Sequence, residues 1–348
     1  MESPTLTVGH NDQAIQLDFL DHQRRHACTD CGHAFLNAET PAEGFDYHRQ
    51  VIGGGTIIAN TLGPIREVHI LPHCGTELPD ELLREIDPAD RPALAQLVHD
   101  NADIGTGAIY RHLAESILAG RGEGVAVAGF HLSRLLLDAN RIEVVYQVPA
   151  SPYVGTSELY ADFMQRRGTE LREDLLLPWL DAVNRLLRQM GESGVAYHHH
   201  TLDVYSMTPR PWDQASHEKR PAFQLVWERP TLDATSEPAP GVVDPGLAPI
   251  EDLRGVRDRI TEYLEAKVGL EDAAGEIDFP LLLPVVPFAG ALRGDLADLP
   301  PHIMYDVRKD ILATDDLIRS WVGDGPWRLP AVARSIENDV FAFDGAVI

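Results

Sequence analysis

The sequence predicts a protein of the α/β class, in which apolar strands alternate with amphipathic helices. Residues 66–71 alternate as in a strand, residues 124–130 form an apolar run typical of a buried strand, and residues 194–203 predict a strand that ends in three histidines. Residues 79–120 and 156–190 instead carry apolar side chains at helical spacing. Polar residues follow each strand, and open α/β sheets hold their chemistry just outside the carboxyl ends of the strands.

The composition bounds the size of the core and the kind of partner. With 348 residues, 44% of them hydrophobic, the chain can bury one large core or two modest ones. The formal net charge of −25 argues against nucleic acid or an anionic membrane as a partner, since both attract basic surfaces. An anionic small molecule bound to so acidic a protein must be held by local arginines.

The cysteines and the N-terminus bear on the compartment. Cys28, Cys31 and Cys74 are the three cysteines, a number that favours a reducing compartment over a disulfide framework. Residues 1–21 lack the basic and apolar regions of a signal peptide. Because no apolar run reaches about 18 residues, we expect no membrane-spanning helix and a cytoplasmic location.

Residues 1–50 are predicted to form an N-terminal extension ahead of a single catalytic α/β domain at 51–348. The extension contains a CxxC motif, Cys28 to Cys31. This motif either binds metal or performs redox chemistry, or it is a pair of ordinary thiols in a loop. The glycines at 53–55 predict a turn and not a phosphate-binding loop.

The first strong candidate site follows the strand at 66–71, which Pro72 ends. His73 and Glu77 are four residues apart on a tight turn that contains Gly75. An imidazole and a carboxylate so arranged can converge on one metal ion, and zinc accepts this mixture of ligands. The alternative is that both are turn residues whose polar atoms bond to the backbone.

Further polar groups follow the next helix and strand. The segment from Asp103 to Gly107 contains two glycines and interrupts the helical pattern. Asp103 either caps the next helix or faces the site. Arg134, Asn140 and Arg141 predict an anion clamp, because guanidinium groups bind carboxylates through paired hydrogen bonds. The alternative for this segment is an ion pair between Asp138 and an arginine that stiffens a loop.

The third strand ends in His198, His199 and His200. Neighbours on a strand point to opposite faces, so His198 and His200 share one face and His199 takes the other. A histidine here could complete a three-ligand zinc site with His73 and Glu77, and at least one of the three is expected to be structural.

A late strand, predicted at 302–310, carries Asp306 and Arg308 on one face. A carboxylate there can act as a general base toward an attacking water. The alternative is an ion pair between these two side chains. The remaining predicted elements are an insertion or lid at about 205–248, a helix at 253–264, an apolar strand or loop at 279–286, a turn at 287–290 and short helices at 313–321 and 330–338.

In these residues the chain resembles the N-formylglutamate amidohydrolase family, from about residue 65 to about residue 320. The Ser-Arg…Asp-x-Asn-Arg segment is the most specific part of the resemblance. The motifs that carry it are Pro72-His73-Cys74-Gly75-Thr76-Glu77-Leu78-Pro79, Asp103 ahead of Ala108-Ile109-Tyr110, Ser133 to Arg141, His200-Thr201, Pro287-Phe288-Ala289-Gly290 and Asp306-Val307-Arg308.

The resemblance implies a mixed central sheet flanked by helices, of the phosphorylase/hydrolase-like kind found in zinc carboxypeptidases. It implies a zinc-dependent amidohydrolase that cleaves an N-formyl or N-acyl amino acid, or a related small amide that bears a carboxylate. The residues it implies are His73, Glu77 and His200 as zinc ligands with Asp103 as a fourth ligand or a group behind them, Asp306 as general base, and Arg134, Asn140, Arg141 and Arg308 as binders of the substrate carboxylate.

One departure from the family concerns the general base. The family usually has glutamate where this chain has Asp306, whose carboxylate is withdrawn by one methylene. A misplacement of about 1 Å can cost on the order of 100-fold in rate. Two alternatives therefore stay open: a binding protein that keeps the fold without catalysis, and an amide hydrolase of a specialised pathway whose larger substrate would match the long insertion.

Overall fold

The structure is a computed structural model that describes most of the chain. The described residues are 5–10, 13–18, 27–28, 47–60, 63–91, 94, 98, 102–122, 124–139, 158–191, 194–202, 204, 219–226, 228–229, 242–243, 248, 250–277, 300–312 and 314–329.

Thirteen strands lie in this part of the chain, and eight of them form one mixed sheet. The strands are β1 (Thr5–His10), β2 (Gln13–Asp18), β3 (Ala27–Cys28), β4 (Tyr47–Ile52), β5 (Gly55–Asn60), β6 (Glu67–Leu71), β7 (Val125–Phe130), β8 (Val195–Leu202), β9 (Phe223–Val226), β10 (Glu228–Arg229), β11 (Val242–Val243), β12 (Glu276–Ile277) and β13 (His302–Arg308). The sheet order is β12-β9-β13-β8-β6-β7-β5-β4. Strands β1 to β3 form a separate antiparallel sheet, and β10 pairs with β11.

The four central strands of the large sheet, β13, β8, β6 and β7, run parallel to one another. Strands β9 and β5 flank them in antiparallel pairings. Strands β5, β6 and β7 are buried along their whole length. The sequence of β7 is accordingly apolar throughout, whereas β6 also buries Glu67 and His69. Because the central strands are parallel, their carboxyl ends meet at one edge of the sheet.

Helices cover the sheet, and their ends follow local sequence signals. They are α1 (Asp80–Glu85), α2 (Thr106–Leu118), α3 (Glu158–Leu171), α4 (Leu177–Met190), α5 (Ile250–Tyr263) and α6 (Asp315–Asp324). A π-helical turn, Arg172–Leu176, joins α3 to α4, and Pro178 lies in the first turn of α4, where proline is tolerated. Gly105 precedes α2 with φ 99°, a backbone conformation that favours glycine.

The mixed α/β fold predicted from the sequence is confirmed. The predicted strands at 66–71, 124–130, 194–203 and 302–310 correspond to β6, β7, β8 and β13. The predictions at 279–286, 287–290 and 330–338, and the CxxC residue Cys31, lie outside the described residues. So does most of the segment at 205–248, apart from its short strands. None of the helices in the described part of the chain has the length and apolar character needed to cross a bilayer.

A pair of buried histidines joins β8 to β13. His198 Nε2 and His302 Nδ1 are 2.7 Å apart, and neither side chain is exposed. Burial lowers the pKa of His302 from its ordinary value near 6.5 to about 3. Burial, together with neighbouring histidines, holds the pKa of His198 well below its ordinary value. Both imidazoles are therefore neutral in the folded protein near neutral pH.

We expect these histidines to make the fold sensitive to acid. In the unfolded chain each takes up a proton near pH 6.5, whereas folded His302 does so only near pH 3, so the free energy of unfolding falls as the pH drops through this window. Glutamine can keep one hydrogen bond to His198 but cannot titrate. Urea unfolding of His302→Gln between about pH 6.5 and about pH 5 should therefore lose less stability than wild type, by about 1.4 kcal/mol per pH unit. Equal slopes would contradict this account.

Candidate metal centre and active site

Three buried side chains converge at the carboxyl edge of the parallel strands. His73 lies in the turn after β6, Asp103 lies just before α2, and His200 lies near the end of β8. Each offers one ligand atom, and these atoms all lie within 4.8 Å of one another. The sequence analysis named His73 and His200 as zinc ligands and Asp103 as a fourth ligand or a group behind them, and the fold brings the three together from separate segments.

The donor set and its spacing fit a zinc ion. Asp103 Oδ2 is 3.2 Å from His73 Nδ1 and 3.6 Å from His200 Nδ1. Two ligand atoms on bonds of about 2.0 Å are about 3.3 Å apart in a tetrahedral site, so these distances suit a shared cation. Two imidazoles and a carboxylate are ligands that zinc accepts, and three protein ligands leave one position for water or substrate.

The turn that carries His73 is fastened to β7 and to α2. Glu77 N–H donates to the His131 carbonyl at 3.0 Å, and Ser133 N–H donates to the Glu77 carbonyl at 2.9 Å. Thr106 Oγ1 lies 3.1 Å from the carbonyl oxygen of His73 and 2.6 Å from that of Asp103. These bonds hold the backbone of the first histidine and of the aspartate in fixed positions.

A second carboxylate and an arginine support His73 from behind. Asp138 Oδ1 is 2.8 Å from His73 Nε2. Arg134 bridges the two carboxylates: Nη1 donates to Asp103 at 2.8 Å and Nη2 donates to Asp138 at 3.1 Å. The ion pair between Asp138 and an arginine, an alternative in the sequence analysis, is thus present.

The contact between Asp138 and His73 was not predicted from the sequence. A carboxylate bonded to the outer nitrogen of a ligating histidine fixes the ring and its tautomer. The available signal was that Asp138 follows Arg134 by four residues in a loop at the carboxyl end of a strand, beside the expected site.

The charges of this network shift one another. Burial would raise the pKa of Asp103, but Arg134, His73 and a hydrogen bond from His200 hold it well below its ordinary value. Burial and Arg134 would lower the pKa of His73, but the carboxylates of Asp138 and Asp103 raise it overall. Asp103 therefore stays ionised, as a metal ligand must.

Asp306 lies directly beside His200, since the two residues are register partners on β13 and β8. Burial raises the pKa of Asp306, and Asp103 adds to this, although His200, Arg134 and His73 act in the opposite sense. A half-buried carboxyl group with a raised pKa suits proton transfer better than an ordinary exposed aspartate does.

Arg308 is fully buried and engaged with protein groups. Its Nε and Nη2 donate to Asp310 at 3.0 and 3.3 Å, and its Nη1 donates to the Arg220 carbonyl at 3.0 Å and to Asp272 at 3.3 Å. These bonds tie β13 to its neighbouring segments. Binding of the substrate carboxylate by Arg308 stays a prediction.

The structure does not bring Glu77 into the group of His73, Asp103 and His200. The backbone of Glu77 forms a parallel β-bridge with Leu132. This bridge agrees with the alternative in which Glu77 is a turn residue bonded through its backbone. Asn140 and Arg141 lie outside the described residues, so their predicted role in an anion clamp stays a prediction.

Comparison with known proteins connects this geometry to a family. The family model described as FGase, N-formylglutamate amidohydrolase, matches residues 66–248. An N-formylglutamate amidohydrolase structure from Ralstonia eutropha JMP134 is similar, with TM-score 0.51 and 14% identity over 82% of this chain and 98% of that one. The gene product Atu2144 from Agrobacterium tumefaciens gives TM-score 0.49 and 15% identity over 79% of this chain and 92% of that one. At such identities the likeness concerns the fold, and no curated protein matches the chain.

Gly75 gives a direct test of the turn that carries His73. A Cβ at this position would lie 1.8 Å from the His131 carbonyl oxygen, so Gly75→Ala must push the turn away from β7. We expect a loss of at least about 2 kcal/mol in the free energy of unfolding, measured by urea titration. Gly323→Ala, within α6, is the control, because among the described residues nothing beyond the adjacent residues and the backbone of its own helix lies within 4 Å of the added Cβ, and there we expect a gain of up to about 1 kcal/mol. Equal behaviour of the two variants would contradict the packing described for this turn.

Proposed function

Because this chain belongs to the N-formylglutamate amidohydrolase family, whose model matches just over half of it, we propose that it is a zinc-dependent amidohydrolase. The proposed substrate is an N-formyl or N-acyl amino acid, or a related small amide that bears a carboxylate. The observation that carries the proposal is the buried group of His73, Asp103 and His200 inside the matched region.

The proposed ligands of the zinc ion are His73, His200 and Asp103, with Glu77 kept as a fourth candidate from the sequence. A bound zinc ion would polarise the acyl carbonyl and lower the pKa of a water to about 7. Asp138, 2.8 Å from His73 Nε2, orients that imidazole and keeps its ligating nitrogen free of a proton.

Asp306 is the proposed general base. It takes a proton from the attacking water and returns it to the amine nitrogen as the C–N bond breaks, so the acyl acid and the free amine leave with atoms balanced. Its register position opposite His200 supports this role, since the proton acceptor must lie beside the ligands. The raised pKa of Asp306 also makes its protonated form a competent acid for the leaving amine.

Arg134, Asn140 and Arg141 are the proposed binders of the substrate carboxylate. Arg134 supports this assignment because it stands at the site and its side chain is 24% exposed, so a ligand can reach it. Arg308 is a weaker candidate, because its side chain is fully buried, whereas that of Arg134 is partly exposed.

The wider proposal follows the sequence analysis. Residues 51–348 would form one catalytic domain, with residues 1–50 as an extension whose last residues, 47–50, already belong to β4 of the large sheet, and with about 205–248 as a lid. The partner would be a small carboxylate-bearing amide, and neither nucleic acid nor a membrane, given the net charge of −25. The small number of cysteines supports a reducing compartment such as the cytoplasm.

Zinc content and turnover test the proposal together. Protein purified without chelators should contain close to one equivalent of zinc and should release amine from N-formyl, N-acetyl or peptidyl amino acids. Treatment with a chelator should abolish turnover, and added zinc should restore it. His200→Gln should lose both zinc and activity, whereas the matched variant His112→Gln should keep both, because His112 bonds to Asp315 away from the site.

Two results would redirect the assignment. Full activity in metal-free protein would refute the zinc mechanism. Less than half an equivalent of zinc, together with no turnover of any of the three substrate types, would favour the alternative in which the chain keeps the family fold as a binding protein.

Asp306→Asn tests the role of the general base separately. Asparagine keeps the size of the side chain but cannot accept the proton, so we expect kcat to fall by at least about 100-fold while zinc content stays unchanged. Steady-state kinetics and metal analysis of the same sample give both quantities. A kcat within a factor of about three of wild type would show that another group accepts the proton.

A further inference from the structure

A line of hydrogen bonds crosses the central strands on the face of the sheet that points away from the candidate site. His69 lies on β6, His199 on β8 and Tyr305 on β13. His69 Nδ1 is 3.0 Å from His199 Nε2, and the Tyr305 hydroxyl bonds to His199 Nδ1. All three side chains are completely buried. We name His69, His199 and Tyr305 the reverse-face brace.

The direction of these bonds follows from the indole of Trp321. Its Nε1–H lies 3.3 Å from the Tyr305 hydroxyl oxygen, and an indole can only donate. We assign the single hydroxyl proton of Tyr305 to the bond with His199 Nδ1, because this gives the proton an acceptor; His199 is then protonated on Nε2 and donates to His69. In this arrangement Tyr305 on β13 donates to His199 on β8, and His199 donates to His69 on β6.

The protonation states agree with this order. Burial, with His69, His200 and Arg328, holds the pKa of His199 well below its ordinary value, so its imidazole is neutral. Burial raises the pKa of Tyr305 well above its ordinary value, so its phenol stays protonated. Trp327 packs edge-on against the rings of His69 and His199 at centroid distances of 4.9 and 5.1 Å, which seals the brace from water.

On β8 and on β13, the brace residue directly precedes the site residue in the sequence. In the register of β8 and β13, Tyr305 pairs with His199 and the next pair is Asp306 with His200. Successive side chains point to opposite faces, so the first pair locks the strands from one side and the second faces the site from the other. A slip of β13 along β8 by one residue would break the bond between Tyr305 and His199 and separate Asp306 from His200.

We propose that the reverse-face brace positions the candidate active site by holding β6, β8 and β13 in the register that sets His200 opposite Asp306. His199 and Tyr305 are positioning residues in this proposal, and the roles of His200 and Asp306 rest on the proposed function. The Tyr305 hydroxyl, on the face of the sheet away from the site, thus helps to set the positions of His200 and Asp306 on the opposite face.

Tyr305→Phe removes that hydroxyl and keeps the buried ring. Tyr197→Phe is the control, because Tyr197 lies on β8 on the same face, is equally buried, and its hydroxyl accepts from the backbone N–H of Leu329 at 3.1 Å. Tyr305→Phe loses the hydroxyl's bonds to His199 and from Trp321, and Tyr197→Phe loses the bond from Leu329, so both lower the overall stability. A purely structural role predicts a loss spread over the fold in both variants, so the comparison is made at the site ends of β8 and β13 and in zinc affinity.

Two measurements compare the variants: amide hydrogen exchange of the metal-free protein, and zinc affinity by competition with a chromogenic chelator. Tyr305→Phe should lower exchange protection at the site ends of β8 and β13 about fivefold more than Tyr197→Phe does. It should also weaken zinc binding about tenfold, while Tyr197→Phe leaves zinc affinity within about twofold of wild type.

Equal loss of protection in the two variants overturns the proposal, and so does equal zinc affinity in a protein that binds zinc. A wild-type protein that neither binds zinc nor hydrolyses any amide would instead end the proposed function. In that event the exchange comparison in metal-free protein still decides whether the brace holds the register.

Discussion

The carboxylate of Asp103 is the group on which the candidate site depends. It is almost fully buried, and an ionised carboxylate in such a position needs compensating partners. Arg134 supplies a full positive charge to one oxygen, and His73 and His200 face the other. The backbone N–H of Thr201 lies 3.5 Å from that second oxygen, and α2, whose N-terminus is the positive end of its dipole, begins three residues further along the chain. The aspartate thus organises an arginine, two histidines and a helix end around a single negative charge.

The strand period assigns the histidines of β8 to different tasks. His200 belongs with His73 and Asp103 to the group that could hold a cation, and His199 belongs to the reverse-face brace. His198 pairs with His302 at the other end of β13. Three identical neighbours in the sequence therefore occupy three environments, because a strand turns each successive side chain to the other face and moves it along the sheet.

Much of the fold could be predicted from the sequence, because apolar runs and helical spacing mark β6, β7, β8 and the long helices directly. The sheet order could not, since the insertion of β13 between β8 and β9 is a long-range pairing that no local pattern encodes. In the site, His73 and His200 could be predicted because they lie at strand ends, and Asp103 because it lies just before a helix. The contact of Asp138 with His73 was not, because it depends on how a loop folds back over the strand ends.

The place of β13 in the sheet also bears on how the protein is made. The three residues able to hold a cation all precede Asp306 in the chain, and the strand that carries Asp306 is inserted beside β8 only after most of the chain exists. A nascent chain thus contains His73, Asp103 and His200 before it contains Asp306, the proposed proton acceptor. Under the proposed roles, β13 would complete the site last during synthesis, because Asp306 is the final member of the site to leave the ribosome.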